Sequence, residues 1–292
     1  MLPASRDSEP MADDRITYRA REGISCPICK NNFRREELLT GGGRMNAGEL
    51  TDELHRIYLP TQKHGHVYPL IYPVSVCPSC WYAAYPRHFS ALKREDYPQL
   101  ESRIEERKKI VQPLFQDLDF GKNRRLEEGV ASHFLAALCY EYRSPITAPT
   151  FLRGLSFLRA GWLAMDLDRQ KEGRNYDSMA RIFLRKAAFF YNDALELGLS
   201  GKEDIEDISH HGPDLDNNFG FDGVLYLVGV LQLKYGQRAD RGSRISALKR
   251  ARTAVSRIVG MGLSTKAKPS PLLDLGRKLH KSIKLELEAG ET

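Results

Sequence analysis

Two short cysteine pairs, Cys26-Pro27-Ile28-Cys29 and Cys77-Pro78-Ser79-Cys80, constrain this 292-residue chain more than any other feature. Two residues between cysteines let the backbone fold into a knuckle that aims both sulfurs at one point, and a proline after the first cysteine pre-sets the turn through its fixed φ. Four thiolates from two knuckles form the closed tetrahedral set that structural zinc prefers, with Zn–S bonds of about 2.3 Å. The sequence therefore predicts one structural zinc ion on Cys26, Cys29, Cys77 and Cys80. A redox dithiol would call for a thioredoxin-like helix in a βαβ setting, which neither pair precedes. A catalytic zinc needs an open coordination position, which four thiolates do not leave. His55, His64, His66 and His88 lack ligand-like spacing to any cysteine and read as surface or packing residues.

The 47 residues between the knuckles exceed the roughly 15–20 of a compact ribbon. An insertion there is harmless if a sheet holds its ends together. Ile24-Ser25 and Val74-Ser75-Val76 lead into the knuckles as β-like residues. Tyr68, Leu70, Tyr72, Val74 and Val76 alternate at period two, which predicts a strand. Pro69 and Pro73 would remove donors along one side of it, placing it at a sheet edge. Residues 16–90 thus read as a zinc-ribbon-like β module. At about 75 residues it sits near the limit of a self-sufficient core, so an ion worth about 10–16 kcal/mol in small finger peptides would decide whether it folds. Lys30, Arg34 and Arg35 are the cations placed to temper the −2 charge of a four-thiolate site.

Residues 1–15 are polar and acidic and predict a disordered tail. Residues 91–292 read as helical. A charged segment, 91–118, predicts an exposed helix. Apolar helical patterns then run over 126–142, 151–168, 177–197, 221–235, 245–261 and 272–288, separated by Gly- and Pro-containing loops. Turns of modest length imply antiparallel helix pairs. Phe157, Ala160 and Gly161 with Ala187, Tyr191 and Ala194, and again Leu225, Val228 and Gly229 with Ala251, Val255 and Ile258, place small residues where paired helices would approach closely. That spacing is tetratricopeptide-like, although the linkers exceed the 34-residue period, and an ordinary helical bundle is the competing reading. The fold class expected is mainly α, with a small N-terminal β module followed by antiparallel helix pairs.

The stretch from Cys26 to Phe89 resembles a bacterial family known as domain-of-unknown-function family 2225. The residues carrying the resemblance are the first knuckle with Phe33, then Tyr68 to Tyr72, Val76 and the second knuckle, Tyr82-Ala83-Ala84 and Phe89. The resemblance implies a zinc-knuckle module followed by a helical, often repeat-like, C-terminal region, and it implies no particular activity. Zinc knuckles often place glycine straight after the second cysteine, to permit a left-handed turn. Here Lys30 and Trp81 stand at those positions, which leaves the ligand set intact but the local turn geometry open.

Composition narrows the function classes. Hydrophobic residues make up 41% and charged residues 28%, as in globular proteins. The longest predominantly apolar run, Val224 to Leu233, is far short of the roughly 20 residues of a membrane span. The acidic N-terminus is unlike a signal peptide, and a cytoplasmic location is expected, where paired cysteines hold metal and not disulfides. The net charge of +6 comes from the C-terminal part: residues 237–292 carry 13 Lys and Arg against 5 Asp and Glu. Such a patch suits an acidic protein surface, phosphate or anionic lipid.

No Ser-His-Asp set, paired carboxylates or dinucleotide motif emerges, so no enzyme is expected. Gly41-Gly42-Gly43-Arg44 lacks the Lys-Ser/Thr of a P-loop and reads as a turn. His210 to Asp216 reads as a polar inter-helix loop more readily than as a second cation site, and Cys139 as a buried apolar residue. Two functions follow as expectations. The first is a zinc-stabilised cytoplasmic scaffold that binds a protein partner along its helices. The alternative is nucleic-acid binding through Arg244, Lys249, Arg250, Arg252 and Arg257, with the zinc ribbon as an auxiliary contact. Those basic residues spread around a helix arc and have few interleaved aromatics.

Overall fold

Each cysteine pair sits at the tip of a hairpin in the computed structural model of the chain, which describes residues 15–205, 211–216, 219–259 and 270–291. The first hairpin is nested: β1 (Thr17–Arg19) pairs antiparallel with β4 (Glu36–Leu38), and inside it β2 (Ile24–Ser25) pairs with β3 (Asn32–Phe33). Between them come β5 (Ala47–Leu50) and β6 (Arg56–Tyr58), which pair with a register shift. The second knuckle closes β7 (Ser75–Val76) onto β8 (Ala83–Ala84). Among the described residues the module is thus a set of two-stranded ladders and not one sheet. The tail expected over residues 1–15 lies, but for Arg15, outside the described residues.

The edge strand expected over Tyr68–Val76 does not form along most of its length. Pro69–Ile71 is a single 3₁₀ turn with proline at its start, and only Ser75–Val76 is a strand. The prolines that remove ladder donors also favour turn entry, and the freed carbonyls find side-chain partners on α4 (Leu126–Tyr140) and just before it instead of a strand. His133 Nε2 donates to Leu70 O at 2.8 Å, and Arg124 Nη1 to Ile71 O at 3.1 Å and Val74 O at 2.8 Å. Leu70 and Ile71 are buried against α4, where a Cβ on Gly129 would lie 2.8 Å from Ile71 Cγ1.

The exposed helix expected over 91–118 is broken in two, after the short α1 (Pro86–Phe89): α2 (Tyr97–Ser102) and α3 (Ile104–Val111). Leu100, Arg107 and Val111 are buried, so this segment caps the module and is not a free charged helix.

The remaining helical patterns correspond to α4, α5 (Pro149–Gln170), α6 (Tyr176–Leu199), α7 (Gly220–Tyr235), α8 (Arg241–Val259) and α9 (Ser270–Glu291). Their starts follow local chemistry. Glu128 folds back so that Arg125 N donates to its Oε2 at 3.0 Å at the head of α4, which satisfies a helix-end donor as one half of a capping box does. Pro149 opens α5, where its missing N–H costs nothing. The fold is mainly α with a small β module, as the sequence predicts.

Close approach of α5 and α6 depends on two glycines one heptad apart. A Cβ on Gly154 would meet Tyr191 Cδ2 at 2.9 Å, and one on Gly161 would meet Leu184 Cδ2 at 2.7 Å. Phe157, Ala160, Ala187, Tyr191 and Ala194 are all buried beside them. Gly229 of α7 lies under Val255 of α8 in the same manner, and α9 packs on both helices through Leu279 and Ile283. Among the described residues no helix is long and apolar enough to cross a membrane.

The insertion between the knuckles is a strut. At the tip of β5–β6, Glu53 is buried and accepts from Trp162 Nε1 at 2.6 Å on α5, and from Lys234 Nζ at 2.9 Å and Tyr235 OH at 2.5 Å at the end of α7. Asp52 O accepts from Tyr226 OH at 2.6 Å. The module and the helices share one continuous apolar core.

Candidate metal centre

The two knuckles have the same backbone wiring. In the first, Cys26 N donates to Asn31 O at 2.9 Å and Lys30 N to Cys26 O at 3.0 Å; in the second, Cys77 N donates to Tyr82 O and Trp81 N to Cys77 O, both at 2.9 Å. Such a turn needs a left-handed residue after the second cysteine. Lys30 takes φ 62° and Trp81 φ 57°. The left-handed turn open at the sequence level is therefore present without glycine. Trp81 accepts that backbone while packing edge-on against Phe120, ring centroids 5.7 Å apart. Lys30 folds its Nζ back onto Pro27 O at 2.7 Å.

The turns bring together all four predicted ligands. The sulfurs lie within 4.8 Å of one another, with Cys26 Sγ 3.6 Å from Cys80 Sγ and Cys29 Sγ 3.5 Å from Cys77 Sγ. A tetrahedron with Zn–S bonds of about 2.3 Å has edges of about 3.8 Å, whereas a disulfide bond is about 2.05 Å. The spacing fits thiols around an ion and not a bridge. Cys26 and Cys77 are fully buried and Cys80 nearly so; Cys29 is partly exposed. Four cysteines so placed could hold a metal ion.

The surroundings favour one negative sulfur, that of Cys77. S–H donation from Cys26 and Cys80 holds the Cys77 thiol well below its ordinary range, helped by backbone amides of Cys80 and Ser79. The converse donation to Cys77 pushes Cys26 up, although amides of Cys29 and Ile28 oppose it. Cys80 is raised by its contacts with Cys26 and Cys77 and by burial. Protons thus crowd onto some sulfurs to keep one ionised, a cost that a divalent cation removes.

Of the cations expected to temper the site, Arg35 is bound to Glu37 and Lys30 serves its own turn. The guanidinium that reaches the knuckle is one sequence reasoning missed: Arg107 of α3, buried, donates from Nε to Cys80 O at 2.8 Å and from Nη1 to Leu100 O at 2.6 Å. Deeper in, Arg143 ties Tyr82 OH (3.0 Å) and His88 O (3.1 Å) to Asp96 Oδ2 (3.1 Å).

The other candidates separate from the centre. His88 stays beside Tyr140, its Nδ1 3.1 Å from the phenol oxygen, and burial pushes its pKa down to about 4. His55, His64 and His66 are not among the converging ligands. Cys139 is buried and its thiol raised by that burial. Gly42 and Gly43 form a turn with φ 68° and 74°, closed by Arg44 Nη1 on Gly41 O at 2.7 Å. His210 lies outside the described residues; His211 contacts Ile205 O and Asp214 contacts His55. Among the described residues the four cysteines are the one group converging closely enough for a metal.

Residues 20–283 match the family described as "Uncharacterized protein conserved in bacteria (DUF2225)", which bears out the resemblance read from the knuckles and extends it through the helices. A protein of Borreliella burgdorferi (strain ATCC 35210 / DSM 4680 / CIP 102532 / B31), described as "Uncharacterized protein", is 38% identical over 274 residues, covering 94% of this chain and 98% of that one. No solved structure gives a significant match.

Proposed function

This chain belongs to the bacterial DUF2225 family, and from that premise we propose that it is a zinc-stabilised, cytoplasmic protein–protein interaction scaffold and not an enzyme. Zinc suits the four-thiolate donor set, and four protein ligands leave it a structural role. When bound, the ion would cross-link hairpins 47 residues apart, and Arg107 would carry that rigidity into α3.

The observation that carries the reading is a groove of about 860 Å³ where α6, the end of α7 and α8 meet. Phe189 stands in its wall with 62% of its surface exposed, backed edge-on by Phe190 at 5.1 Å. Arg181, Arg185, Arg238 and Arg250 line it, Arg181 paired with Asp177 and Arg250 with Glu196. Aromatic and arginine side chains are the usual anchors of protein interfaces. The partner would be a segment with an apolar anchor and flanking acidic residues, held between tetratricopeptide-like helix pairs.

The nucleic-acid alternative loses one of its residues to the fold. Arg244 is buried, donating to Leu233 O at 2.9 Å and Glu286 Oε1 at 3.2 Å, so it secures the end of α7. Arg250 faces Glu196 at 3.4 Å.

The test is recovery of partners on the tagged full chain with and without nuclease, in wild type and Phe189→Ala/Arg185→Glu. The scaffold reading expects nuclease-resistant partners lost in the double variant. Recovery that disappears with nuclease, or that the double variant leaves intact, would count against it.

A further inference from the structure

A second cavity, of about 330 Å³, opens where β6 and residues 66–70 face α5. That volume lies at the small end of organic-ligand sites. His55, His66 and Tyr68 stand at its wall, with Trp162 behind His55. His55 lies on Trp162, centroids 4.3 Å apart and planes 16° from parallel, and His66 lies on Tyr68 at 5.6 Å and 16°. Leu70 and Leu163 add apolar surface.

The polar groups there are held in fixed states. Asp214 is fully buried. Its Oδ2 lies 2.7 Å from His55 Nδ1 and accepts from Arg56 N at 2.9 Å, while Oδ1 accepts from Leu215 N at 2.7 Å. Burial pushes this carboxyl up, but the hydrogen bond from His55 and the backbone donors outweigh it and hold the pKa below the ordinary value. In the neutral ring, a carboxylate acceptor at Nδ1 places the imidazole proton there, so Nε2 is an acceptor with no partner among the described residues. Asp166, also on the wall, gives Oδ1 to Arg169, and its Oδ2 likewise has no protein partner.

These features select a ligand. His55, His66 and Asp166 do not converge closely enough for a metal ion. The nearby guanidinium groups are already paired, Arg169 with Asp166 and Arg56 with Asp216 Oδ2 and Gly48 O at 2.7 and 2.8 Å, which favours a neutral ligand over a phosphate. The charge on Asp166 is already matched, so no cationic ligand is called for. We propose that this cavity binds a neutral, flat heterocycle of the nucleobase or nucleoside class, which donates N–H groups to His55 Nε2 and Asp166 Oδ2 and lies against the ring pairs. Two acceptors on rigid supports give orientation, and the rings give area at little conformational cost.

Equilibrium dialysis of the full metal-loaded chain against adenosine, guanosine, cytidine and uridine tests this. At least one nucleoside is expected to bind saturably, one per chain, and to quench Trp162 fluorescence. Its 5′-monophosphate should bind no more tightly. Asp166→Asn and His55→Phe should each weaken binding about tenfold or more, by removing an acceptor that the ligand's donor needs, while Phe189→Ala in the other groove changes nothing. If loss of the Asp214 contact unfolds His55→Phe, Asp166→Asn decides alone, since among the described residues Asp166 pairs only with the exposed Arg169. The proposal is overturned if none of the four nucleosides binds wild type, if binding survives Asp166→Asn undiminished, or if the monophosphate is preferred.

Discussion

Arg107 Nε donates to the carbonyl of Cys80 at 2.8 Å, so α3 is bonded directly to the second cysteine knuckle. The same guanidinium holds Leu100 O at 2.6 Å, and the residue is 4% exposed. Replacing it by Met keeps most of the buried volume but strands two carbonyls, one of them in the second knuckle. Arg107→Met should cost about 2–4 kcal/mol in denaturant unfolding, from two charge-assisted bonds. It should also speed zinc loss to a colourimetric chelator. Unchanged release would show that Arg107 merely packs.

Metal content is the most direct check on the candidate centre. Native protein should carry close to one zinc per chain by elemental analysis, and Cys77→Ser should lower that sharply. Because a structural ion contributes apparent folding energy of about 10 kcal/mol or more, chelation should expose residues 16–90 to protease before the helices. A metal-free chain with the same melting temperature as the loaded one would contradict the zinc reading.

The knuckles and the six long helices were legible because each rests on a local signal: cysteine spacing, or apolar residues at helical period. Tyr68–Val76 was misread because its alternation is genuine while its carbonyls are claimed by Arg124 and His133, some 50 to 60 residues away. Nothing local announces such partners. The β5–β6 strut is not anticipated from the sequence for the same reason: nothing near Glu53 announces Trp162, Lys234 and Tyr235, which converge on it. His55 was read as packing or surface, and only the fold sets it between Trp162 and Asp214.

Lys30 and Trp81 share one backbone state and should respond oppositely to glycine. Each non-glycine left-handed residue costs about 1 kcal/mol relative to glycine. Lys30 is exposed, so Lys30→Gly should relieve strain and stabilise by up to about 1 kcal/mol, less the loss of its bond to Pro27 O. Trp81 is 9% exposed against Phe120, so Trp81→Gly should lose about 3–5 kcal/mol of packing despite the same relief. Chemical denaturation of the zinc-loaded variants measures both. Equal losses would mean that the turn is not strained at Lys30.

Acid should destabilise the chain through His133 even when the metal is retained. His133 is fully buried, and burial, with nearby Arg159, lowers its pKa to about 3. Its Nε2–H is spent on Leu70 O at 2.8 Å. The folded state therefore keeps this imidazole neutral where the unfolded chain, with a pKa of about 6.5, protonates it. Between pH 6.5 and 3 the unfolded state binds the extra proton, so stability falls as pH falls, by up to about 1.4 kcal/mol per pH unit; above pH 6.5 the effect is absent. His133→Gln, whose amide can still donate to Leu70 O, should be less stable at pH 7.5 but show a shallower loss from pH 6.5 to 5. Denaturant midpoints of the metal-loaded proteins across that range provide the measurement. Parallel pH profiles would mean that acid acts on the thiolates and His88 alone.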